Sequence, residues 1–159
     1  MKELPHWLKL ATIWAVVTTV VFLAIQGWLK HQEQARFSVQ GAQMEIRRSP
    51  DGHFHWPGRV NGRPVDFLVD TGATGTALPM ALARELGLPV LGPMTSMTAG
   101  GAVQGEVVQA DLELEGGVSV QRLRAVALPG LATPLLGMDV LGRLRWRQED
   151  GVLKLERPK

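Results

Sequence analysis

The sequence predicts a mostly β domain, a small and largely antiparallel β barrel with one or two short helices, preceded by one N-terminal transmembrane helix. Three observations lead to this fold class. Eighteen Gly and ten Pro among 159 residues suit a turn-rich chain. Short apolar runs separated by turn signals follow one another from about residue 44 to the C-terminus. Residues 10–29 carry no formal charge, which sets them apart from the rest of the chain.

Composition narrows the classes of function. The chain has no cysteine, which excludes a disulfide framework, a zinc–thiolate site and a thiol nucleophile. A net charge of +2 is too small to indicate a nucleic-acid partner. A denser group of arginines near the C-terminus is interpreted as a solvated face rather than a binding patch: Arg143, Arg145 and Arg147. The length fits one domain.

The uncharged run at residues 10–29 is bracketed by Lys9 and Lys30, with Trp7 and Trp28 near its ends. On a helix these tryptophans would lie about 31 Å apart, close to the hydrocarbon core of about 30 Å. A cleaved signal peptide is the alternative, but its apolar region is usually shorter, and no A-x-A-like cleavage site follows. We therefore predict a retained single-pass anchor. The lysines and arginines on its two sides do not decide its orientation.

The remaining elements follow in chain order. Residues 1–9 form an N-terminal tail, and residues 30–43 are predicted to be a polar juxtamembrane linker. The domain is expected to span residues 44–159. Its first strands flank Ser-Pro-Asp-Gly at 49–52 and Asn-Gly at 61–62, and the second of these is a strong hairpin signal.

Later elements are a short helix, three β-like runs, a helical turn and a closing strand. The helix has Pro near its start and Gly after its last turn, and pairs of glycines separate the β-like runs. In chain order these elements lie at residues 79–87, 93–98, 103–114, 118–128, 135–144 and 152–156.

The candidate for chemistry is Asp70, in the stretch FLVDTGATG at residues 67–75. The acid ends an apolar strand, and packing alone does not require a carboxylate there. The glycine after Asp-Thr lets the chain turn sharply and points backbone N–H groups at the carboxylate. Asp-Thr-Gly alone is weak evidence, because the tripeptide arises often by chance.

Two further motifs give Asp70 a context. Two apolar residues and a glycine, Leu135-Leu136-Gly137, lie downstream, the glycine 67 positions after Asp70. A glycine-tipped hairpin candidate lies between the two motifs and consists of Thr98, Ala99, Gly100 and Gly101. This order of apolar strand, D-T-G-A, short helix, hairpin and L-L-G resembles the retropepsin-like aspartic proteases, and more narrowly their bacterial membrane-anchored members.

The resemblance implies a retropepsin-like β barrel that acts as an aspartic endopeptidase without metal or other cofactor. It implies that Asp70 is catalytic, that Thr71 bonds across to its mate, and that Gly72 and Ala73 belong to the active-site loop. Leu135, Leu136 and Gly137 would support that loop from behind, and the hairpin at 98–101 would be a substrate-binding flap. It also implies a bacterial inner-membrane protein with a periplasmic domain. The short linker at residues 30–43 favours substrates at or near that membrane.

The chemistry of the motif favours the same activity. Peptide hydrolysis without a metal or a covalent nucleophile needs one group that deprotonates a water and another that protonates the leaving amine. Two carboxylates that share one proton supply both, because they cannot both ionise at close range. Their titration then belongs to the pair.

One chain carries one Asp-Thr-Gly. The other aspartates are not followed by Ser/Thr-Gly: Asp51, Asp66, Asp111, Asp139 and Asp150. Activity would therefore require a C2 homodimer in which Asp70 of each subunit meets at the axis. We interpret Asp139 as an N-cap or an exposed acid at a helix start, not as a second catalytic acid.

Other signals are weaker. His53 and His55 would share one face of a strand, but no third metal ligand is recognisable. The glycines at 72 and 75 lack the lysine of a phosphate loop, and no G-x-S-x-G is present. The alternative function is a membrane-tethered β-barrel binding or adaptor module without peptidase activity. A third hypothesis is self-processing, with cleavage near residues 31–43.

Overall fold

The computed structural model describes residues 6–34, 37–40, 43–98 and 100–156. The chain divides into two compact units, Met1–Arg36 and Phe37–Lys159. The elements in chain order are α1 (His6–Gln34), β1 (Phe37–Gln40), β2 (Gln43–Arg47), β3 (His55–Val60), β4 (Arg63–Val69), β5 (Ala77–Pro79), α2 (Met80–Glu85), β6 (Val90–Thr98), β7 (Gly101–Leu114), β8 (Val118–Leu128), β9 (Leu135–Leu136), α3 (Met138–Leu141), β10 (Arg145–Glu149) and β11 (Val152–Glu156).

The first unit holds one helix, α1, of 29 residues. The side chains at positions 10–26 are exposed. Within the described residues, none of the helices is both long enough and apolar enough to span a membrane. The prediction of a transmembrane helix at residues 10–29 is therefore not supported; the helix that forms there runs past both ends of that segment, into the predicted linker.

The second unit contains two sheets. The first has four antiparallel strands in the order β1-β2-β11-β10. The second has seven strands in the order β3-β4-β9-β5-β8-β7-β6, and β3 also pairs with β7, which closes the sheet on itself. Most pairings are antiparallel, as predicted, but β4 pairs with β9 and β5 with β8 in parallel.

One hydrophobic core joins the two sheets. Alternation along β2 and β11 turns Met44, Ile46, Leu153 and Leu155 inward, because side chains of a strand point to its two faces in turn. The largest fully buried side chains also come from the seven-stranded sheet and α3, and they include Trp56, Phe67, Leu78, Leu112, Leu136 and Leu141. The buried apolar area is the main source of stability in such a fold.

Several turn predictions are confirmed. Asn61 and Gly62 have φ of 48° and 83° and join Val60 to Arg63, the geometry that Asn-Gly favours in a two-residue hairpin. Helix α2 begins after Pro79 and is followed by Gly87 at φ 58°. The closing strand has the predicted bounds.

Four of the described strands were not predicted: β1, β5, β9 and β10. β1 lies in the segment 30–43 that the sequence predicts to be a linker. β10 contains two of the clustered arginines and is exposed at all five positions, so the solvated face predicted there is the edge of a sheet.

Candidate active site

Asp70 follows directly on β4, at the point where that strand stops pairing with β9. The parallel register sets Leu68 beside Leu135 and Val69 beside Leu136. The backbone N–H of Asp70 donates to the carbonyl of Leu136 at 3.0 Å, so the acid is fixed to the last bond of this pairing. Leu136 thus contacts the first residue of the active-site loop through its backbone, and the role of Leu135 and Leu136 as loop support stays a prediction.

The Asp70 carboxylate is half-buried and is held by its own loop. The backbone N–H of Gly72 donates to Oδ1 at 2.8 Å, and the N–H of Ala73 donates to the Asp70 carbonyl at 3.3 Å. A Cβ at position 72 would lie 3.2 Å from Oδ1, so glycine leaves room for this close approach. Oδ2 has no hydrogen-bond partner among the residues that the structure describes.

Thr71 is exposed next to this carboxylate. Its hydroxyl makes no hydrogen bond within the described part of the chain. An exposed hydroxyl between Asp70 and a glycine turn is free to bond with a second molecule.

The far side of the loop rests on the start of α3. We call residues 70–76 the Asp70 loop. The N–H groups of Met138 and Asp139 donate to the carbonyls of Ala73 and Thr74 at 2.9 and 3.1 Å. A Cβ at Gly137 would lie 2.4 Å from the carbonyl carbon of Gly75. The L-L-G motif therefore ends in glycine because the two segments are in backbone contact.

Asp139 corrects the interpretation made from the sequence. The residue at the N-cap of α3 is Gly137, and Asp139 lies in the first turn, half-buried. Its Oδ2 accepts from the backbone N–H of Thr76 at 3.0 Å, and its Oδ1 accepts from the Thr76 hydroxyl at 2.8 Å. Asp139 is neither a helix cap nor a simple exposed acid: it holds the end of the Asp70 loop.

Thr76 was missed by the sequence reasoning. Its side chain is fully buried, and its Oγ1 also accepts a hydrogen bond from the backbone N–H of Gly137 at 3.4 Å. A buried hydroxyl needs partners, and here the partners come from the L-L-G-M-D segment. The available signal was a threonine directly after the last glycine of a glycine-rich turn, just before an apolar strand.

The predicted flap residues lie at the tip of the β6–β7 hairpin. Thr98 pairs with Gly101, and the Thr98 hydroxyl donates to the Gly101 carbonyl at 2.9 Å and accepts from the N–H of Gly100 at 3.2 Å. Gly101 has φ of 107°, which side-chain-bearing residues rarely adopt. Ala99 lies outside the described residues. The role of this hairpin as a flap stays a prediction.

The two histidines do not share a strand face. His53 precedes β3, whereas His55 opens it and lies between two carboxylates. Its Nε2 is 2.7 Å from Asp51 Oδ2, and its Nδ1 is 3.1 Å from Asp66 Oδ2. The pKa of Asp51 is lowered from its ordinary value, first by the His53 backbone N–H that donates to Oδ1 at 3.0 Å, then by His55. Across the described ranges no set of three His, Cys or acidic side chains is arranged to hold a metal ion.

The Asp70 loop therefore presents one oriented carboxylate, with Oδ1 held by a backbone amide and Oδ2 without a protein partner among the described residues. Such a group can act as a base toward water. A mechanism that uses two carboxylates, one as base and one as acid, would need a second acid beside it.

The chain is similar to a known family over most of its second unit. Residues 56–143 match the family model described as "gag-polyprotein putative aspartyl protease". One similar protein is an uncharacterized protein of Rickettsia prowazekii, 31% identical over an alignment of 161 positions that covers 91% of this chain and 68% of that protein. Another is an uncharacterized protein from the cobV 5′ region of a Sinorhizobium species, 33% identical over 65% of this chain and only 46% of the relative's length.

Solved structures share the fold. A retropepsin-like aspartic protease from Rickettsia conorii superposes with a TM-score of 0.58 at 25% identity, over 76% of this chain and 95% of that one. The EIAV protease in complex with the inhibitor HBY-793 superposes with a TM-score of 0.53 at 19% identity, over 61% of this chain and 92% of that one. The second likeness is evidence for the fold alone.

Proposed function

The chain belongs to the gag-polyprotein aspartyl protease family and is an aspartic endopeptidase, and on that premise we propose that it acts as a homodimer whose two Asp70 carboxylates activate one water. The observation that carries the proposal is the half-site itself. One Asp-Thr-Gly is present per chain, and its Asp70 has one oxygen bound by Gly72 and the other without a protein partner among the described residues.

In the proposed reaction the two Asp70 side chains share one proton. The ionised carboxylate takes a proton from the water while the oxygen of that water attacks the peptide carbonyl carbon. The protonated carboxyl then gives its proton to the leaving nitrogen as the C–N bond breaks. The Gly72 amide holds Oδ1 of Asp70 in place, and the Thr71 hydroxyl would bond to the other subunit's loop and fix the distance between the acids.

The substrate class we propose is an extended peptide lying between the Asp70 loop and the β6–β7 hairpin. β6 is the last strand of the seven-stranded sheet, and most of its side chains are exposed. An exposed strand edge offers backbone groups to a peptide in the same conformation. The exposed methionines Met94 and Met97 would contact its apolar side chains.

The location predicted from the sequence, a bacterial inner membrane with the domain on the periplasmic side, stays a prediction. Extraction of membranes at alkaline pH tests whether the protein is anchored in the membrane. In a separate sample, protease protection of intact spheroplasts tests whether the domain is periplasmic. Protein that leaves the membrane with alkali would contradict the anchor, whatever the activity of the domain.

Cleavage of an unbiased peptide mixture tests the catalytic proposal. The full chain, its Asp70→Asn variant and an Asp150→Asn variant are compared at pH 4 to 8 over a wide range of protein concentration. Asp150 is an exposed turn residue with φ of 49°, a conformation that Asn also tolerates, so the control makes the same chemical change away from the loop.

We expect wild type and the Asp150→Asn variant to cleave, with a rate that rises more steeply than linearly with protein concentration while monomer is in excess. The Asp70→Asn variant should be inactive. A rate strictly proportional to concentration at all dilutions would argue against a site completed by a second subunit. Equal activity of the Asp70→Asn variant would remove Asp70 from the mechanism.

A further inference from the structure

The first residue of β3 lies beside the end of β4, the strand that leads into Asp70. His55 pairs with Leu68, and the backbone N–H of Val69 donates to the carbonyl of Phe54 at 2.9 Å. Val69 is the residue directly before Asp70. The position of Asp70 therefore depends on how firmly the start of β3 is held against β4.

The imidazole of His55 faces one carboxylate on each of its two nitrogens. Oδ2 of Asp51, in the turn before β3, lies 2.7 Å from Nε2, and Oδ2 of Asp66, in β4, lies 3.1 Å from Nδ1. The neighbouring His53 is exposed, and its contact with Asp51 is a hydrogen bond from the backbone N–H. The charged groups that face the ring are thus one carboxylate from the turn and one from the strand.

The contacts of the ring show where its proton lies. An ionised carboxylate oxygen only accepts, so the 2.7 Å contact with Asp51 requires a proton on Nε2. Nδ1 is a buried atom and makes no hydrogen bond with the described residues. In a neutral ring Nδ1 then carries a lone pair, and this lone pair faces a carboxylate oxygen of Asp66 at 3.1 Å. Two acceptors at that distance repel each other.

We propose that His55 is a positioning residue for Asp70 whose effect depends on pH. With a proton on both nitrogens, the ring donates to Asp51 and Asp66 together and holds the turn at 49–52 against β4. Without the proton on Nδ1, the bond to Asp51 remains and the contact with Asp66 becomes repulsive. Histidine is the side chain that ordinarily changes its charge between about pH 5 and 8, so the contact with Asp66 is made on the acid side of that range.

The exposure of Asp66 limits the strength of this contact. Its side chain is 58% exposed, and water screens a pair of charges at such a position. We expect the contact between His55 and Asp66 to favour the folded state by about two- to fivefold at pH 5.5, and not at pH 8. The inference rests on the proposed function only in its effect on cleavage, because the contacts of His55 belong to the fold.

Nitrogen NMR of the full chain, labelled with ¹⁵N-histidine, tests the protonation of the ring. A mild detergent is needed because α1 exposes many apolar side chains. The signals of His55 are those that disappear in the His55→Gln variant. We expect a proton on Nε2 and none on Nδ1 at pH 8, and a proton on both at pH 5.5. A proton on Nδ1 with none on Nε2 at pH 8, or a ring that is still neutral at pH 5.5, would overturn the proposal.

Two double-mutant cycles measure the contacts in the folded protein. One combines His55→Gln with Asp66→Asn and the other combines it with Asp51→Asn, and urea unfolding is followed at pH 5.5 and 8. We expect the coupling between His55 and Asp66 at pH 5.5 to be lost or reversed at pH 8. The coupling with Asp51 should remain at both, because the neutral ring still donates from Nε2. Equal coupling with Asp66 at the two pH values would contradict the pH dependence.

Peptide cleavage tests the positioning role. We compare the ratio of wild-type to His55→Gln kcat at pH 5.5 and at pH 8, because the titration of Asp70 is common to both proteins and cancels in the ratio. The ratio should exceed one at pH 5.5 and approach one at pH 8, with KM unchanged, since His55 acts through Asp70. His53→Gln makes the same chemical change at an exposed position and should match wild type. An unchanged kcat of His55→Gln at pH 5.5 would overturn the positioning role.

The NMR and unfolding measurements also separate this inference from the proposed function. If both give the expected results in a protein that cleaves no peptide, the contacts of His55 stand and the two-Asp70 mechanism is contradicted. If cleavage depends on Asp70 and on protein concentration while the coupling with Asp66 is absent at both pH values, the proposed function stands and the role of His55 is contradicted.

Discussion

The hydroxyl of Thr76 donates a 2.8 Å hydrogen bond to Oδ1 of Asp139, a residue 63 positions further along the chain. The same carboxylate also accepts from the Thr76 backbone N–H. The Asp70 loop is thereby fixed at its C-terminal end by a side chain from the start of α3, in addition to the backbone bonds along its length.

Loss of this carboxylate should weaken both the fold and the loop. Replacing Asp139 with Ala leaves the buried hydroxyl hydrogen and the buried backbone N–H of Thr76 without their acceptor. We expect a loss of about 1–3 kcal/mol in the free energy of unfolding. Urea denaturation measures it, with Asp150→Asn as control. A cycle with Thr76→Val isolates the pair: if the two single losses simply add, the residues are not coupled.

Gly137 should not accept even one methyl group. The Cβ of Gly137→Ala would lie 2.5 Å from the carbonyl oxygen of Gly75, so one of the two backbones has to move. We expect a large loss of peptidase activity together with reduced stability, measured by cleavage rate and thermal unfolding. Gly52→Asn is the control, because position 52 is open and its φ of 85° suits Asn better than most residues. Unchanged activity of the Gly137 variant would show that this contact does not shape the site.

The flap prediction can be tested with two comparable glycines, one at the hairpin tip and one elsewhere as its control. Gly101 and Gly130 both have positive φ, of 107° and 75°, and both have open space around the missing Cβ. Replacement by Ala should cost each a similar small amount of stability, about 1 kcal/mol. Only Gly101→Ala should lower kcat/KM, because only Gly101 lies at the hairpin tip. Equal activity of the two variants would argue against a flap that closes on substrate.

Asp51 should contribute to stability in a pH-dependent way. Its folded-state pKa lies below the ordinary value of 3.8, so the deprotonated form stabilises the fold above about pH 4. That contribution is lost as the pH falls through the folded-state pKa. We expect Asp51→Asn to unfold at lower denaturant concentration at pH 7, and the difference from wild type to shrink as the pH falls below 3.8. A gap that stays constant with pH would assign the effect to the loop geometry and not to the charge.

The strand end and the turn at Asp70 could be predicted from the sequence because the signals for them are local. An apolar strand, an acid and two glycines specify a strand end and a turn without knowledge of the rest of the fold. Asn61-Gly62 and the alternating strand at 152–156 are of the same kind, and both agree with the structure.

The features that were missed depend on distant partners. β9 is two residues long and is a strand only because β4 and β5 lie on either side of it. β10 has one inward-facing apolar residue, Trp146, so no alternation marks it. Asp139 looked like a helix-start acid because nothing near it in sequence shows that Thr76 is its partner. The span predicted at 10–29 rested on the absence of charge, on its length and on the lysines and tryptophans that flank it.

The pairing of β4 with β9 also determines the stage of synthesis at which the Asp70 loop can assemble. Asp70 is translated 65 residues before Leu135, and the backbone bonds of the loop to Leu136, Met138 and Asp139 cannot form until that later segment has been made. Contacts of such sequence separation form late, since the closure of a long chain segment precedes them. A ribosome-bound chain that has exposed only the Asp-Thr-Gly segment therefore holds no assembled Asp70 loop, and a newly made protease cannot attack neighbouring chains before this later segment has been added.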